Sequence, residues 1–288
     1  MSASAAGISI RVDLTNPGQF FACCGLFELA DRVWPGAEAW FGGPGIPSTF
    51  HILATEGQST AVADCHVTIG ELLAKASALT FEADDAEGGS DDTHEDDDSQ
   101  FEPITIQSPI ELLLDWWADK SIKTWAGSMK ERLILNAMLR AIDPANTDPM
   151  NDGKAVFDAA TLSASGKRPP NGRKREPFYF DCRRGSKAHP LDSGFSPDAH
   201  HLESNCFPAV EAMCFVGLQR ARPAPSAEIP NRSTYTAWTV RLPVKAIGPV
   251  VCGMVHVPGS LAFTFDNFFR TDQKKHKSYS RAVRERKQ

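Results

Sequence analysis

The stretch Ile8-Ser9-Ile10-Arg11-Val12-Asp13-Leu14-Thr15-Asn16-Pro17-Gly18-Gln19-Phe20-Phe21-Ala22-Cys23-Cys24-Gly25-Leu26-Phe27 decides the architecture. Ile8, Ile10, Val12 and Leu14 alternate with polar residues, the period-two pattern of a half-buried strand. Asn16-Pro17-Gly18-Gln19 then reads as a helix start. Asn caps, Pro suits the first helical position, and Gln at the third reaches back to the cap. Phe20, Cys24, Phe27, Ala30 and Trp34 follow at helical spacing, and Pro35-Gly36 stops the run. The chain therefore opens with a strand that feeds directly into an apolar helix.

Downstream, a strand is expected over Phe50 to Thr55. Thr68-Ile69-Gly70-Glu71 is a capping-box pattern and predicts a short helix toward Leu79. Ile110, Leu112, Leu114 and Trp116 alternate as in a strand. Ser128-Met129-Lys130-Glu131 reads as the start of a helix running to Ile142, with Leu133, Ala137 and Ala141 on one face. A smaller helix is expected between Asp152 and Leu162, and a strand through Phe178-Tyr179-Phe180. Phe207-Pro208 opens a helix whose face is Val210, Met213, Cys214, Gly217 and Leu218. Strands are read over Tyr235 to Val244, Val250 to Val257 and Leu261 to Phe265. Helices and strands mix without a repeat or regular alternation, which predicts an α+β fold. The reading is one elaborated domain over residues 1–269, followed by a basic C-terminal tail over 270–288.

Charge divides the chain. Its formal net charge is −6, but eleven acidic residues lie between Glu82 and Glu102 with no Lys or Arg among them. Setting those aside leaves a net charge of +5 for the rest. Residues 83–100 lack the apolar content to offset ordering entropy and are expected to form a disordered acidic insertion. That insertion reads as an inert solubilising segment, as one that folds back on basic segments, or as a contact for a basic partner. Residues 163–177 form a second loop, rich in Gly, Pro and basic residues. No stretch is long and apolar enough to span a membrane, and the first seven residues do not resemble a signal peptide, so a cytoplasmic location is expected. Seven cysteines, without close paired spacing, read as reduced residues rather than a disulfide framework.

Three basic segments are candidates for nucleic-acid binding. The turn Lys123-Thr124-Trp125-Ala126-Gly127-Ser128 enters a helix start, where unpaired backbone N–H groups favour anions. Lys123 and Lys130 add charge there, and Trp125 offers a face for base stacking. The competing reading is a plain helix cap with Trp125 in the core. The segment Lys167 to Lys187 carries a net charge of +6 and interleaves Phe178, Tyr179 and Phe180. Arg183, Arg184 and Lys187 are its candidates, because guanidinium forks suit phosphate. The tail also carries +6, with Arg270, Lys274, Lys275 and Lys277 as candidates. A solvated loop and a merely solubilising tail are the alternatives for these two segments.

Catalytic signatures were sought as well. His189, His200 and His201 lie near Asp181, Asp192, Asp198 and Glu203, but the spacing fits no zinc pattern. No phosphate-binding loop, nucleophile elbow or dinucleotide fingerprint occurs. The expectation is a protein without catalytic residues, metal or cofactor.

Four blocks together resemble a known family. They are Asp13 through Leu26; Asp115-Trp116-Trp117 with Lys123-Thr124-Trp125-Ala126-Gly127; Phe180-Asp181-Cys182-Arg183-Arg184 with Leu191-Asp192-Ser193-Gly194-Phe195-Ser196; and Pro208-Ala209-Val210-Glu211 through Gly217-Leu218-Gln219-Arg220. They look like the short large-subunit-type protein of type I-G (formerly I-U) CRISPR systems, in its Geobacter-like variant. The resemblance implies a non-enzymatic subunit of a Cascade-type ribonucleoprotein. Its expected partners are CRISPR RNA, target DNA, the backbone RAMP subunits and the helicase-nuclease. In such complexes base pairing reads sequence and protein subunits hold backbones and read a short adjacent motif. A ferredoxin-like, RAMP-type core is compatible with the strand–helix opening and the late strand cluster. The turns at Lys123 and at Arg183-Arg184 fall within resembling blocks, which weights both toward contact. Two other classes stay open: a repeat-RNA processing endoribonuclease using His200 or His201 as general base, and a purely architectural subunit bridging proteins.

Overall fold

The structure is a computed structural model that describes residues 7–43, 45, 47–54, 67–81, 101–126, 129–157, 174–184, 205–270 and 276–285. The acidic insertion, the Gly/Pro-rich part of the basic loop, the three sequence-singled histidines, Lys187, Lys274 and Lys275 lie outside the described residues. The chain runs β1 (Ile8–Val12), α1 (Pro17–Val33), β2 (Glu38–Phe41), β3 (Ser48–Leu53), α2 (Ile69–Ser77), β4 (Thr80–Phe81), β5 (Ile104–Ser108), β6 (Leu112–Leu114) and α3 (Glu131–Arg140). It continues through α4 (Pro208–Gly217), β7 (Ala224–Pro225), β8 (Arg232–Ala237), β9 (Leu242–Pro243), α5 (Val244–Val251), β10 (Leu261–Phe269), β11 (Lys277–Tyr279) and β12 (Val283–Arg284). The α+β class is as the sequence predicts. Three antiparallel sheets have the orders β1-β3-β2-β9, β11-β10-β8-β7 with β12 beside β10, and β4-β5-β6.

The opening forms as read, with one difference at the helix start. Asn16 stands at the N-cap of α1 in an extended conformation, but its side chain does not cap. Instead its amide donates to Asp181 Oδ1 at 2.8 Å and its carbonyl oxygen accepts from the Cys182 N–H at 3.2 Å. Gln19 reaches back past the cap and accepts the Asp13 N–H at 2.7 Å. The Asn16 side chain is thus spent on long-range closure of the 181–182 segment onto α1, while Gln19 bonds Asp13 and Met150. Downstream, β1, α1, β2 and β3 make a split βαβ unit, with β3 between β1 and β2 and antiparallel to both. The strand after α2, β4, joins a different sheet, and β9 completes the first sheet on the β2 side.

Every residue of α1 from Pro17 to Ala30 is buried. An apolar run that surrounds a helix on all sides demands partners on all sides. The sheet residues Phe41 and Phe50, with Tyr235 and Trp238, supply one side: Phe20 stacks on Tyr235 at 4.4 Å and on Phe41 at 5.3 Å. Helix α4, itself buried throughout, supplies another. The two helices meet through glycines. A Cβ on Gly25 would stand 1.9 Å from Met213 O, and one on Gly217 would stand 2.1 Å from Phe21 O. Only a missing side chain at both positions lets the two backbones touch.

Four readings of the sequence are corrected here. Val250 to Val257 is not a strand: Val244–Val251 is α5, burying Val244, Ile247, Val250 and Val251 along one helical stripe. The β-branched residues favoured a strand, yet their spacing is helical. The alternation at Ile110 to Trp116 yields only the three-residue β6, because the chain turns into a 3-10 helix over Trp116–Ala118. Phe178 to Phe180 is not a strand, since Tyr179 adopts φ +67° in the left-handed region and breaks the pleat. The described part of the tail is no tail: β11 and β12 pair with β10, Tyr279 is fully buried, and Ala282 N–H bonds Thr15 O at 2.7 Å.

Substitution of Gly25 or Gly217 by Ala is expected to force the α1 and α4 backbones apart and to cost about 1–3 kcal/mol or more, the scale of core overpacking. Urea unfolding of each variant measures this. Parent-like stability in both would show that the helices do not meet at these glycines.

Candidate nucleic-acid interface

The loop from Asp115 to Trp125 is positioned from two sides. Gln219, two residues past α4, accepts the Asp115 and Trp116 N–H groups at 3.0 and 3.2 Å and donates to Asp115 Oδ1 at 2.9 Å. The Trp116 indole N–H bonds Phe215 O at 2.8 Å. On the other side β10 and β11 bind the turn's carbonyls. Asn267 Nδ2 donates to Ser121 O and Lys123 O at 2.9 and 3.1 Å. The Tyr279 hydroxyl donates to Ile122 O at 2.9 Å, and the Lys277 N–H to Thr124 O at 2.7 Å. This network brings together residues that are some 150 positions apart in sequence: Lys123 and Trp125 from one candidate segment, Arg270 and Lys277 from another.

The candidates differ in what they present. Trp125 is 5% exposed and packs against Trp116, Phe178 and Phe215. It is a core residue, not an open stacking face, and its indole N–H is given to Glu131 at 3.3 Å. Lys123 is half-buried, with its ammonium 5.0 Å from the Trp125 ring centre. Burial lowers its pKa, opposed by Glu131. Lys130 is exposed at the N-cap of α3, so the cap stands two residues later than the Ser128 cap read from sequence. Gly127 and Ser128 themselves lie outside the described residues.

Arg183 and Arg184 sit in a 3-10 turn over Cys182–Arg184, where charge concentration placed the strongest expectation. Their side chains are used inside the molecule. Arg183 donates to both oxygens of buried Asp181, to Asn151 Oδ1 at 2.8 Å and to Met150 O at 2.6 Å, and its guanidinium lies 3.4 Å over the Phe207 ring. Arg184 is 5% exposed and bonds Asn205 O, the Tyr179 hydroxyl at 3.3 Å and Glu176 at 3.5 Å. In this fold the pair braces a loop, with Arg184 buried and Arg183 partly exposed. The only two acids in the segment, Glu176 and Asp181, are the partners that neutralise it.

Arg270 directly follows β10, and Lys277 is the first residue of β11. The Arg270 guanidinium lies 3.3 Å over the Tyr179 ring, and the Arg184 guanidinium is 5.1 Å from the same ring. Lys277 Nζ donates to Asn231 Oδ1 at 3.0 Å and stands 5.1 Å over the Phe269 ring. Burial lowers the Lys277 pKa. The Tyr179 hydroxyl donates to Glu176. Burial, reinforced by Glu176 and outweighing Arg270 and Arg184, pushes the phenol up to about 12, so it stays a neutral donor. Burial works against Glu176 too, but the Tyr179 hydroxyl, Lys174 and Arg184 outweigh it and hold that carboxyl below its usual range. Between these groups lies a cavity of 220 Å³, lined among others by Thr124, Trp125, Glu176, Tyr179, Arg270 and His276.

Sequence reasoning missed Thr124 as a chemical group, together with Glu176 and His276, and named Tyr179 only as one of three interleaved aromatics. Each is unremarkable in its own segment, and only the β10–β11 hairpin assembles them. Among the described residues no cluster of three or more His, Cys, Asp or Glu is arranged to hold a metal ion, and no helix is long and apolar enough to cross a membrane. The six described cysteines are all unpaired. Compared with known proteins, the chain matches no family model, no curated protein and no solved structure.

The loop carrying Tyr179 is anchored on a buried carboxyl. Glu211, fully buried in α4, accepts the Phe180 and Asp181 N–H groups at 3.2 Å each. Burial, with Asp181 close by, raises Glu211 from an ordinary 4.5 to about 7 despite those donors. The fold therefore favours the protonated acid. The stability that Glu211 contributes is fully present below its unfolded pKa and is lost as pH rises through its folded pKa. Relative to Glu211→Gln, the parent is expected to lose stability between about pH 4.5 and 7. Urea unfolding of both chains across that range tests this. A difference that stays flat with pH would refute the raised pKa.

Proposed function

We propose that this chain is a non-catalytic subunit of a type I CRISPR RNA-guided surveillance complex, of the short large-subunit kind, that contacts CRISPR RNA or target DNA. Its partners in this reading are the backbone RAMP subunits, the helicase-nuclease and the nucleic acid, and its setting is the cytoplasm. Reading of a target-adjacent motif is the role such a position offers. The split βαβ unit of β1, α1, β2 and β3 supports a RAMP-type, ferredoxin-like core as the finer reading of the fold.

One observation carries the proposal. Two candidate segments far apart in sequence, and both cationic, meet at a backbone hydrogen bond from Lys277 to Thr124, beside a cavity with aromatic walls. Cations that track a phosphate backbone next to aromatic surface are what single-strand binding requires. Lys123, Lys130, Arg270 and Lys277 are its described cations, and Lys274 and Lys275 fall between the last two in sequence. Arg183 and Arg184 enter this reading as the brace of the Tyr179 loop.

Binding of single-stranded RNA and DNA by the purified chain, titrated at several salt concentrations, tests the proposal. Replacing Lys123, Lys130 and Lys277 together by Gln is expected to weaken binding and to reduce the log–log salt slope by about 2, at roughly 0.7 per phosphate contact. An unchanged slope would reject these cations as the contact. In the assembled complex, photo-crosslinks are expected at residues 123–130 and 270–277. Crosslinks to protein alone would leave the bridging reading instead.

A further inference from the structure

We infer that β1 is a self-pairing edge, on which the β1 of a second copy of this chain docks antiparallel with Ile10 facing Ile10. Among the described residues β1 has one neighbouring strand, β3, and it ends its sheet. The ladder fixes which backbone groups are left over. The Gly42 N–H bonds Thr49 O at 2.7 Å, so Thr49 and His51 turn their backbone groups toward β2. Ser48, Phe50 and Ile52 therefore face β1 and take Val12, Ile10 and Ile8 as hydrogen-bonded partners. Ser9 and Arg11 face the other way, and among the described residues nothing bonds their N–H and C=O groups.

An open edge is a template for a further strand, and folds protect their edges by keeping them short, by proline or by a bulge. The other edges of this molecule are protected in these ways. Strands β9 and β7 are two residues long and each contains a proline. Strand β4 is two residues long with a register shift, and β6, β11 and β12 run to three residues at most. Strand β1 runs five residues, pairs in regular register and contains no proline. Its outward side chains, Ser9 and Arg11, are exposed, while Ile8, Ile10 and Val12 are already in the core. A docking strand thus meets backbone groups rather than an apolar groove.

The register selects a second copy as the occupant. An added antiparallel strand must set its own outward-facing residues opposite Ser9 and Arg11. Another β1 does so, with its Arg11 opposite Ser9 and its Ser9 opposite Arg11, and each such pair exchanges both hydrogen bonds. Ile10 then lies on the two-fold axis, Ile8 meets Val12, and all five residues of the strand are paired. Moving the axis to Arg11 would set two guanidinium side chains directly opposite, which is destabilising. Moving it to Ser9 would carry Arg11 and Val12 past the end of the partner strand. An edge of five residues spans roughly 17 Å. That is small beside the roughly 1,200–2,000 Å² buried in a standing interface, so the pairing is reversible and depends on concentration.

Sedimentation equilibrium of the full chain over a range of concentrations is expected to show monomer and dimer in exchange. Arg11→Pro removes an N–H that bonds nothing inside the chain, at the kind of edge position where a strand tolerates proline. It is expected to weaken dimerisation about tenfold or more, through the edge donor lost from each copy, and to leave the melting midpoint unchanged. Should Arg11→Pro melt earlier, disulfides read the register instead. Residues of a hydrogen-bonded pair stand about 5.5 Å apart at Cα, within disulfide reach, while diagonal neighbours stand about 7–8 Å apart, beyond it. Mixing Ser9→Cys chains with Arg11→Cys chains under copper-catalysed air oxidation is therefore expected to give the mixed disulfide dimer in excess of either same-residue dimer. A parent that sediments as a monomer at every concentration would overturn the inference. So would an Arg11→Pro chain that keeps both the parent's melting midpoint and its self-association, or same-residue disulfides as abundant as the mixed one.

Discussion

Contact between the backbones of α1 and α4 at Gly25 and Gly217 is the constraint on which the rest of the molecule depends. With a side chain at either position the helices would stand apart, and the residues that α4 sends outward would miss their targets. Glu211 reaches the Phe180 and Asp181 amides from one side of α4. Phe215 receives the Trp116 indole from another. Gln219, just beyond the helix, holds the Asp115 turn. The two loops that wall the cavity therefore hang from one helix, whose position is set by two missing methyl groups. Gly18 adds a third close approach, where a Cβ would meet Phe180 O at 2.5 Å and so presses the start of α1 against the same loop.

Buried charge in this protein is managed by local pairing. Glu28, buried in α1, would be raised by desolvation, but hydrogen bonds from Arg220 and Arg32 outweigh that and hold it below its usual range. Asp181 is closed by Asn16 and Arg183. Glu211 lacks a cationic hydrogen-bond partner of this kind, accepts backbone N–H groups, and stays close to neutral. Several arginines that a charge count treats as available are thereby consumed. What distinguishes Arg270 is that it has an aromatic face beneath it and a donor left over.

Local signals were legible in the sequence and long-range ones were not. The Thr68–Glu71 capping box forms as read, with the Glu71 N–H bonded to the Thr68 hydroxyl. Helices α1 and α4 start at their prolines. These depend on residues within four positions of one another. The helix α5 was obscured by β-branched residues whose helical spacing shows only once the burial of Val244, Ile247, Val250 and Val251 is known. The strand β11 is three residues long and owes its existence to β10, a partner that no local pattern announces. For the site, Lys123, Arg270 and Lys277 were visible as charge. Their convergence was not, since it rests on hydrogen bonds from Asn267, Lys277 and Tyr279 to backbone carbonyls, which carry no side-chain signature. For Arg183 and Arg184 the sequence reports a cation but not that each is already bonded within the fold.

The pairing of residues 281–282 with residues 13–15 has a consequence for folding. Ala282 closes on Thr15, Arg281 on Asp13, and the Tyr235 hydroxyl on Leu14. Helix α1 is buried throughout Pro17 to Ala30, and its main partner α4 lies nearly 200 residues downstream. Contacts of such separation close slowly, and exposed apolar segments invite association in the meantime. Until α4 is in place the surface of Pro17–Ala30 stays uncovered, and removal of the residues beyond Tyr279 would take away Arg281 and Ala282, the contacts that hold Asp13 and Thr15 just ahead of α1.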